Sequence, residues 1–63
     1  MSIYTFHSRR RDGSPVSMDA QAFDDDDTAL AWSAKVVAAH PSCDLVEVYH
    51  DDRLVGVTRR ETV

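Results

Sequence analysis

The residues of this chain that could support chemistry are three histidines and one cysteine. His7, His40, His50 and Cys43 are of the types that bind zinc or act as acids, bases and nucleophiles. A zinc site needs three or four converging ligands, usually including one close pair in the sequence, and no two of the histidines lie close together. We therefore expect no metal site.

Nucleophilic catalysis by Cys43 or Ser33 would require a histidine base, a third group and an oxyanion pocket. Cys43 stands just before an apolar run, where a free cysteine usually acts as a small hydrophobic residue. Glycine occurs only at Gly13 and Gly56, so the chain has no phosphate-binding loop. We predict that the protein is not an enzyme and binds no cofactor. The sequence does not decide whether a pocket forms between subunits.

Arginines at positions Arg9, Arg10 and Arg11 are the polar feature that most favours a ligand. On the tip of a hairpin they would reach the phosphates of a nucleic acid. Asp12 follows in the same turn, and seven basic against eleven acidic residues give a net charge of −4. Nucleic-acid-binding proteins usually have the opposite balance. A nucleic-acid-associated regulator is therefore the alternative function.

Four aspartates, Asp24 to Asp27, precede an alanine-rich stretch. They lack the alternating oxygens and the glycine bend of a calcium loop. Aspartate is favoured at the start of a helix, where it accepts hydrogen bonds from free N–H groups and suits the helix dipole. The run therefore predicts a helix capped by Asp24 or Asp25, which ends at His40 because Pro41 follows.

These residues are positioned by elements in the order ββαββ. Alternating apolar residues predict strands over 2–7, 16–23, 45–50 and 53–58, with the helix over 24–40. Asp12-Gly13 and Asp51-Asp52 supply the turns of two hairpins. The predicted fold class is α+β: one antiparallel four-stranded sheet of two hairpins, with the helix packed on one face. Residues 1–63 form a single domain, with 59–63 as a frayed tail. The strand order stays open.

The strand and helix patterns predict which residues share a face of the sheet. The expected core is Tyr4, Phe6, Val16, Met18, Leu30, Val37, Val46, Val48, Val55 and Val57. The far face would carry Ile3, Thr5, His7, Leu45, Glu47, Tyr49 and Thr58, which is polar enough for water yet apolar enough to contact a partner.

The predicted helix has a second apolar stripe. Leu30 and Val37 head the stripe that we expect against the sheet. The second stripe consists of Ala29, Trp32, Val36 and Ala39. A surface helix normally has one apolar stripe and a polar back, so the second stripe predicts contact with another subunit or another protein. The other possibility is that Trp32 folds over the rim of its own domain.

The length of the chain also favours a partner. A domain of 63 residues buries only about 60% of its unfolded surface, and small domains often rely on a disulfide, a metal or a partner subunit. One cysteine excludes an internal disulfide and fits a reducing compartment. With no membrane span and no signal peptide, we expect a cytoplasmic protein that works as a homo-oligomer or an adaptor. No small-molecule substrate is indicated.

Several motifs resemble a family of short bacterial proteins. They are Tyr4-x-Phe6-His7, Arg11-Asp12-Gly13, the acid-led alanine-rich helix and the closing VEVYHDDRLVGV hairpin. The resemblance covers about residues 3 to 58. Arg9 and Arg10 resemble an insertion, and Asp19-Ala20-Gln21 replaces the acid-Glu-Gly step of the family. The family has no assigned activity, so the resemblance implies the fold alone.

Overall fold

The computed structural model describes residues 1–60 as four strands and one helix in the predicted order ββαββ. The elements are β1 (Ser2–Arg9), β2 (Pro15–Phe23), α1 (Asp26–Ala39), β3 (Leu45–His50) and β4 (Arg53–Arg59). The strands form one antiparallel sheet with the order β2-β1-β3-β4. The two hairpins therefore meet through their first strands, which settles the strand order left open by the sequence.

The first hairpin turn is held by its own polar groups. Asp12 accepts hydrogen bonds from the backbone N–H and the hydroxyl of Ser14 at 2.9 and 2.6 Å. These bonds lower the pKa of Asp12. Gly13 has a φ of 88°, a conformation that glycine adopts without steric cost. Beyond the turn, β2 pairs with β1 as far as Phe23 opposite Ser2, which is the end predicted for this strand.

Helix α1 is capped at both ends. At its start, Asp25 accepts hydrogen bonds from the backbone N–H and the hydroxyl of Thr28 at 2.8 and 2.7 Å. At its end, Arg60 donates to the carbonyls of Val37 and His40, and its Nε donates to Cys43 O at 3.0 Å. A cationic side chain suits the negative end of the helix dipole. Residues 59 and 60 are thus ordered, and the expected fraying of 61–63 lies outside the described residues.

The core lies between α1 and the sheet, and the helix packs mainly over β3 and β4. Its buried apolar residues are Tyr4, Phe6, Ala29, Val36, Val37, Cys43, Val46 and Val48, with Phe23, Leu30, Trp32 and Val55 partly buried against them. Gly56 lies under Leu30, where a Cβ would come within 2.9 Å of Leu30 Cδ2. The absence of a side chain at Gly56 lets the helix sit close to β4.

The prediction for the inward face of β2 was wrong by one residue. Phe6 pairs with Asp19 and Tyr4 with Gln21, and directly opposed residues of an antiparallel pair point to the same face. Met18 therefore points away from the helix and is 69% exposed, and Val16 is only half-buried. Phe23 fixes this register, because it lies on the inward face and packs edge-on against Tyr4 and Phe6 at centroid distances of 6.2 and 5.9 Å.

A β-bulge in β4 explains the second error in the core. The pairs Tyr49–Leu54 and Val48–Gly56 leave Val55 as the extra residue. A bulge of this kind resets the alternation of side chains along its strand. Val55 consequently packs toward the core, whereas Val57 pairs with Glu47 and is exposed. Thr58, expected on the far face, instead lies on the helix side, where its Oγ1 is 2.5 Å from Oγ of the buried Ser33.

Candidate interaction surfaces

The face of the sheet opposite α1 is the largest candidate surface, and we call it the open face. Strand pairing places its residues there in register across all four strands. They are Ile3, Thr5, His7 and Arg9 of β1, Met18, Ala20 and Ala22 of β2, Leu45, Glu47 and Tyr49 of β3, and Leu54, Val57 and Arg59 of β4. Ile3, Met18, Leu54 and Val57 are exposed large hydrophobic residues. A sheet with one solvated face normally has polar residues on that face.

Strand β2 has an inverted distribution of polarity. Its residues on the helix side include Ser17, Asp19 and Gln21, and all three are exposed. Its open-face residues Met18, Ala20 and Ala22 are apolar and also exposed. Because apolar side chains of a strand normally mark the face that becomes buried, this pattern makes the open face of β2 a candidate interaction surface.

Polar side chains lie along the two central strands of the open face. Arg9 Nε donates to Glu47 Oε1 at 2.5 Å, and Arg9 also donates to the carbonyl of Gly13. The rings of His7 and Tyr49 meet edge to face at a centroid distance of 5.2 Å. Apart from Arg59, the outer strands of the open face therefore carry apolar residues, and the centre between Ile3 and Leu45 is polar and partly paired.

The helix stripe predicted as an interface lies largely inside its own domain. Ala29 and Val36 are buried in the core, so a partner cannot reach Ala29. Trp32 is half-buried and packs against Phe6 at 4.7 Å and Phe23 at 5.7 Å between ring centroids. Ala39 is exposed. The second apolar stripe thus packs mainly against its own domain. Trp32 covers the β1–β2 side of the sheet, because the helix as a whole lies mainly over β3 and β4.

A shallow groove remains between α1 and β2. Its volume is about 280 Å³, and its lining includes Trp32, Val36 and Ala39 of the predicted interface together with Asp19 and Lys35. Pockets for drug-sized ligands range over about 300–1,000 Å³. The groove is therefore slightly below the usual size of a metabolite site.

The three arginines of the first turn have different surroundings. Arg9 is engaged with Glu47 on the open face. Arg10 and Arg11 are exposed at the tip, where the Arg11 backbone N–H is held by Asp44 Oδ2 at 2.7 Å. Arg59 pairs with Leu45, which in turn pairs with Arg9, so Arg59 lies at the same end of the sheet as the turn. Arg53 lies at the opposite end.

The candidate nucleophiles are enclosed or already bonded. Cys43 is fully buried and its thiol donates to Leu45 O at 3.1 Å, as expected for a small hydrophobic residue. Ser33 is buried and donates to Leu30 O at 2.5 Å. The Nδ1 atom of His40 lies 3.0 Å from Val36 O at the end of the helix. The structure does not bring Ser33 and His40 together as a hydrogen-bonded pair.

His50 belongs to a polar cluster at the start of the helix. Its ring stacks on Tyr4 at a centroid distance of 4.9 Å. The Tyr4 hydroxyl donates to Asp26 Oδ1, and Arg53 donates to Asp26 Oδ2 at 3.3 Å. The hydrogen bond to Asp26 raises the pKa of Tyr4 to about 12, and the same bond lowers the pKa of Asp26. These contacts join β1, α1 and β4, which is a structural role.

The described residues offer neither a metal cluster nor a membrane-spanning helix. Among residues 1–60, no three side chains of His, Cys, Asp or Glu lie close enough to share a metal ion. In the same range no helix is long and apolar enough to cross a membrane. Neither a protein-family model, nor a curated protein, nor a solved structure matches the chain.

The sequence pattern did not identify Met18, Ala20 and Ala22 as surface residues. The signal that could have found them is the position of Phe23. Phe23 alternates in step with Asp19 and Gln21, so an inward Phe23 requires the three apolar residues to point outward.

Proposed function

We propose that the protein is a non-catalytic interaction module that binds protein through the open face of its sheet. The observation that supports this most strongly is the inverted polarity of β2, with Met18, Ala20 and Ala22 on the side away from the helix. Exposed apolar surface that is gathered on one face marks interaction sites. The proposal retains the class of function inferred from the sequence and moves the surface from the helix to the sheet.

Two further properties belong to the same proposal. We place the module in the cytoplasm, because a single buried cysteine fits a reducing compartment. We also group the chain with the family of short bacterial proteins whose motifs it resembles, which rests on the Tyr4-x-Phe6-His7 and Arg11-Asp12-Gly13 steps.

The test places the same negative charge on either face of one strand. Met18→Asp puts a carboxylate on the open face, and Gln21→Asp puts one on the helix side of β2, where residue 21 is already exposed. Solution mass is measured by light scattering, and exposed apolar surface by fluorescence of the dye ANS. Circular dichroism verifies that both variants fold.

We expect Met18→Asp, and not Gln21→Asp, to lower either the assembled mass or the dye fluorescence at least several-fold. A lower mass in the variant would mean that a protein covers the open face of the wild type. Lower dye fluorescence would mean that the open face of the wild type is exposed and binds apolar molecules. Equal effects of both variants, or a wild type that is monomeric and binds no dye, would overturn the proposal.

A second candidate function is binding of single-stranded nucleic acid at the arginine end of the open face. The observation that favours it is the position of Arg59 and Arg9 at the same end as Arg10 and Arg11. Titration of a fluorescent oligonucleotide at 50 and 200 mM salt tests it, because phosphate contacts weaken steeply with salt. Binding that disappears in Arg10→Ala/Arg11→Ala would support this function, and salt-independent or absent binding would exclude it.

A further inference from the structure

We propose that the open face is covered by a second copy of this chain, stacked sheet on sheet about a two-fold axis parallel to the strands. This inference rests on the proposed function, because it names the partner of the same surface. Its basis is the arrangement of the side chains in rows across the four strands.

Two rows of side chains cross the middle of the open face. Strand pairing gives one row as Met18, His7, Glu47 and Val57, in the order β2, β1, β3 and β4. The neighbouring row is Ala20, Thr5, Tyr49 and Leu54. Each row has apolar residues at both ends. In the first row a histidine and a carboxylate occupy the two central positions.

A two-fold axis along the strands places β2 of one copy over β4 of the other, and β1 over β3. Met18 then faces Val57 of the second copy, and His7 faces Glu47 of the second copy. In a two-fold interface each such contact occurs twice, so apolar ends meet apolar ends and two His–Glu pairs form at the centre. Stacked sheets favour strand directions within about 30° of each other, which this axis allows.

The other way to stack two copies uses a two-fold axis across the strands. That axis places each strand over itself and one row over the neighbouring row. Glu47 would then face Tyr49 of the second copy, and Arg9 would lie toward Ile3 of the second copy, at the opposite end of β1. In either arrangement Arg9 and Glu47 keep each other as partners within the chain, and Arg9 lies toward an apolar residue of the second copy. The two axes differ at His7, which faces the Glu47 carboxylate of the second copy in one and Thr5 in the other. A carboxylate is the stronger hydrogen-bond acceptor, and His7 therefore selects the axis parallel to the strands.

The size of the face is near the lower limit for such a contact. Four strands spaced about 4.8 Å apart and six residues long, as in β3, span a flat footprint of roughly 400 Å². Two copies give roughly 800 Å², and side-chain relief raises accessible area above the flat value. The total approaches the ~1,000 Å² that a specific interface requires.

Cross-linking between two single-cysteine variants tests the geometry. Met18→Cys and Val57→Cys are prepared separately, mixed at equal concentration, and treated with a bismaleimide that spans about 10 Å, the separation of stacked sheets. Wild type is the control for the buried Cys43. Light scattering on the untreated wild type gives the assembly size.

We expect a wild-type dimer, and at least fivefold more cross-linked dimer in the mixture than in either variant alone. Two Met18→Cys sites in this dimer lie on opposite edges of the stacked sheets, beyond the reach of the reagent. Efficient cross-linking of Met18→Cys with itself would overturn the proposed axis. A monomeric wild type would overturn the second copy as occupant, whether or not the protein binds ANS or an oligonucleotide. If the monomer binds ANS, the proposed function of the open face would stay intact.

Discussion

The hydroxyl of Tyr4 donates a hydrogen bond of 2.7 Å to Oδ1 of Asp26, joining a central strand to the first turn of the helix across 22 positions of sequence. Asp26 also accepts from Arg53, at the start of β4. One carboxylate therefore ties the helix to two strands. The consequences for ionisation are opposite in the two partners, because the bond holds the proton on Tyr4 and favours the charged form of Asp26.

Replacing Tyr4 by phenylalanine should change the alkaline stability of the protein. The hydrogen bond to Asp26 raises the pKa of Tyr4 from 10.0 to about 12. As pH rises, the unfolded chain therefore loses the Tyr4 proton before the folded protein does. The contribution of Tyr4 to the free energy of unfolding is complete below pH 10 and is lost as pH rises through 12. We expect urea denaturation of wild type to show this alkaline loss and that of Tyr4→Phe to lack it. Tyr49→Phe, on the open face, is the control and should retain the loss; an unchanged profile in Tyr4→Phe contradicts the prediction.

Asp25 should be the aspartate of the acidic run on which the helix depends. Its carboxylate caps the helix by accepting from the hydroxyl and the backbone N–H of Thr28, and these bonds lower its pKa. The stabilising contribution is therefore present at neutral pH and is lost as pH falls below the ordinary value for aspartate, 3.8. Asp25→Ala should lower Tm by about 4–8 °C at pH 7, with a smaller difference from wild type at pH 3. Asp24→Ala is the matched control, and an equal Tm loss there would contradict a specific cap.

Much of this fold follows from local sequence signals. The acidic run and His40-Pro41 predict the helix, and Asp12-Gly13 predicts the first hairpin. Those signals are strong because they depend on backbone conformation within a few residues. The cap is the clearest case, since Asp25 fulfils the expected role with Thr28 three residues away.

The faces of the outer strands were harder to predict, because they depend on long-range register. The alternation of β2 is equally regular in either orientation, and only the packing of Phe23 on Phe6 and Tyr4 decides which side faces the helix. In β4 a single bulge residue, Val55, moves Val57 to the open face. Periodicity alone therefore identified the central-strand part of the open face, Ile3 to His7 and Leu45 to Tyr49, but not the apolar residues that β2 and β4 add to it. The expectation of a partner came from the small size of the chain.

Gly56→Ala should destabilise the domain modestly. A Cβ at this position would lie 2.9 Å from Leu30 Cδ2, so the leucine side chain or the helix must move. The clash involves the end of a flexible side chain, and we expect a cost of about 1 kcal/mol, at the lower end of overpacking effects. Chemical denaturation measures it. The double variant Gly56→Ala/Leu30→Ala removes the clash, so the cost of Gly56→Ala in that background should be near zero; a full cost there would show that Leu30 is not the cause.

Trp32→Ala should reduce stability without changing the assembly. The indole of Trp32 covers Phe6 and Phe23 within its own domain, at ring centroid distances of 4.7 and 5.7 Å. Because Trp32 is only half-buried, we expect a loss of about 2–3 kcal/mol, below or near the low end of the range for fully buried aromatic residues. Trp32→Phe keeps part of the cover and should lose less. Urea denaturation measures the free energy of unfolding for each variant.

Solution mass then separates the two apolar surfaces of the molecule. If the open face forms the assembly, Trp32→Ala retains the wild-type mass under conditions where it is folded, whereas Met18→Asp does not. The reverse result, a dimer lost in Trp32→Ala with unchanged unfolding free energy per chain, would assign the interface to the helix face around Trp32 and Ala39. This comparison of masses distinguishes the two surfaces because Met18 and Trp32 lie on opposite sides of the sheet. Neither substitution directly disturbs the face that carries the other residue.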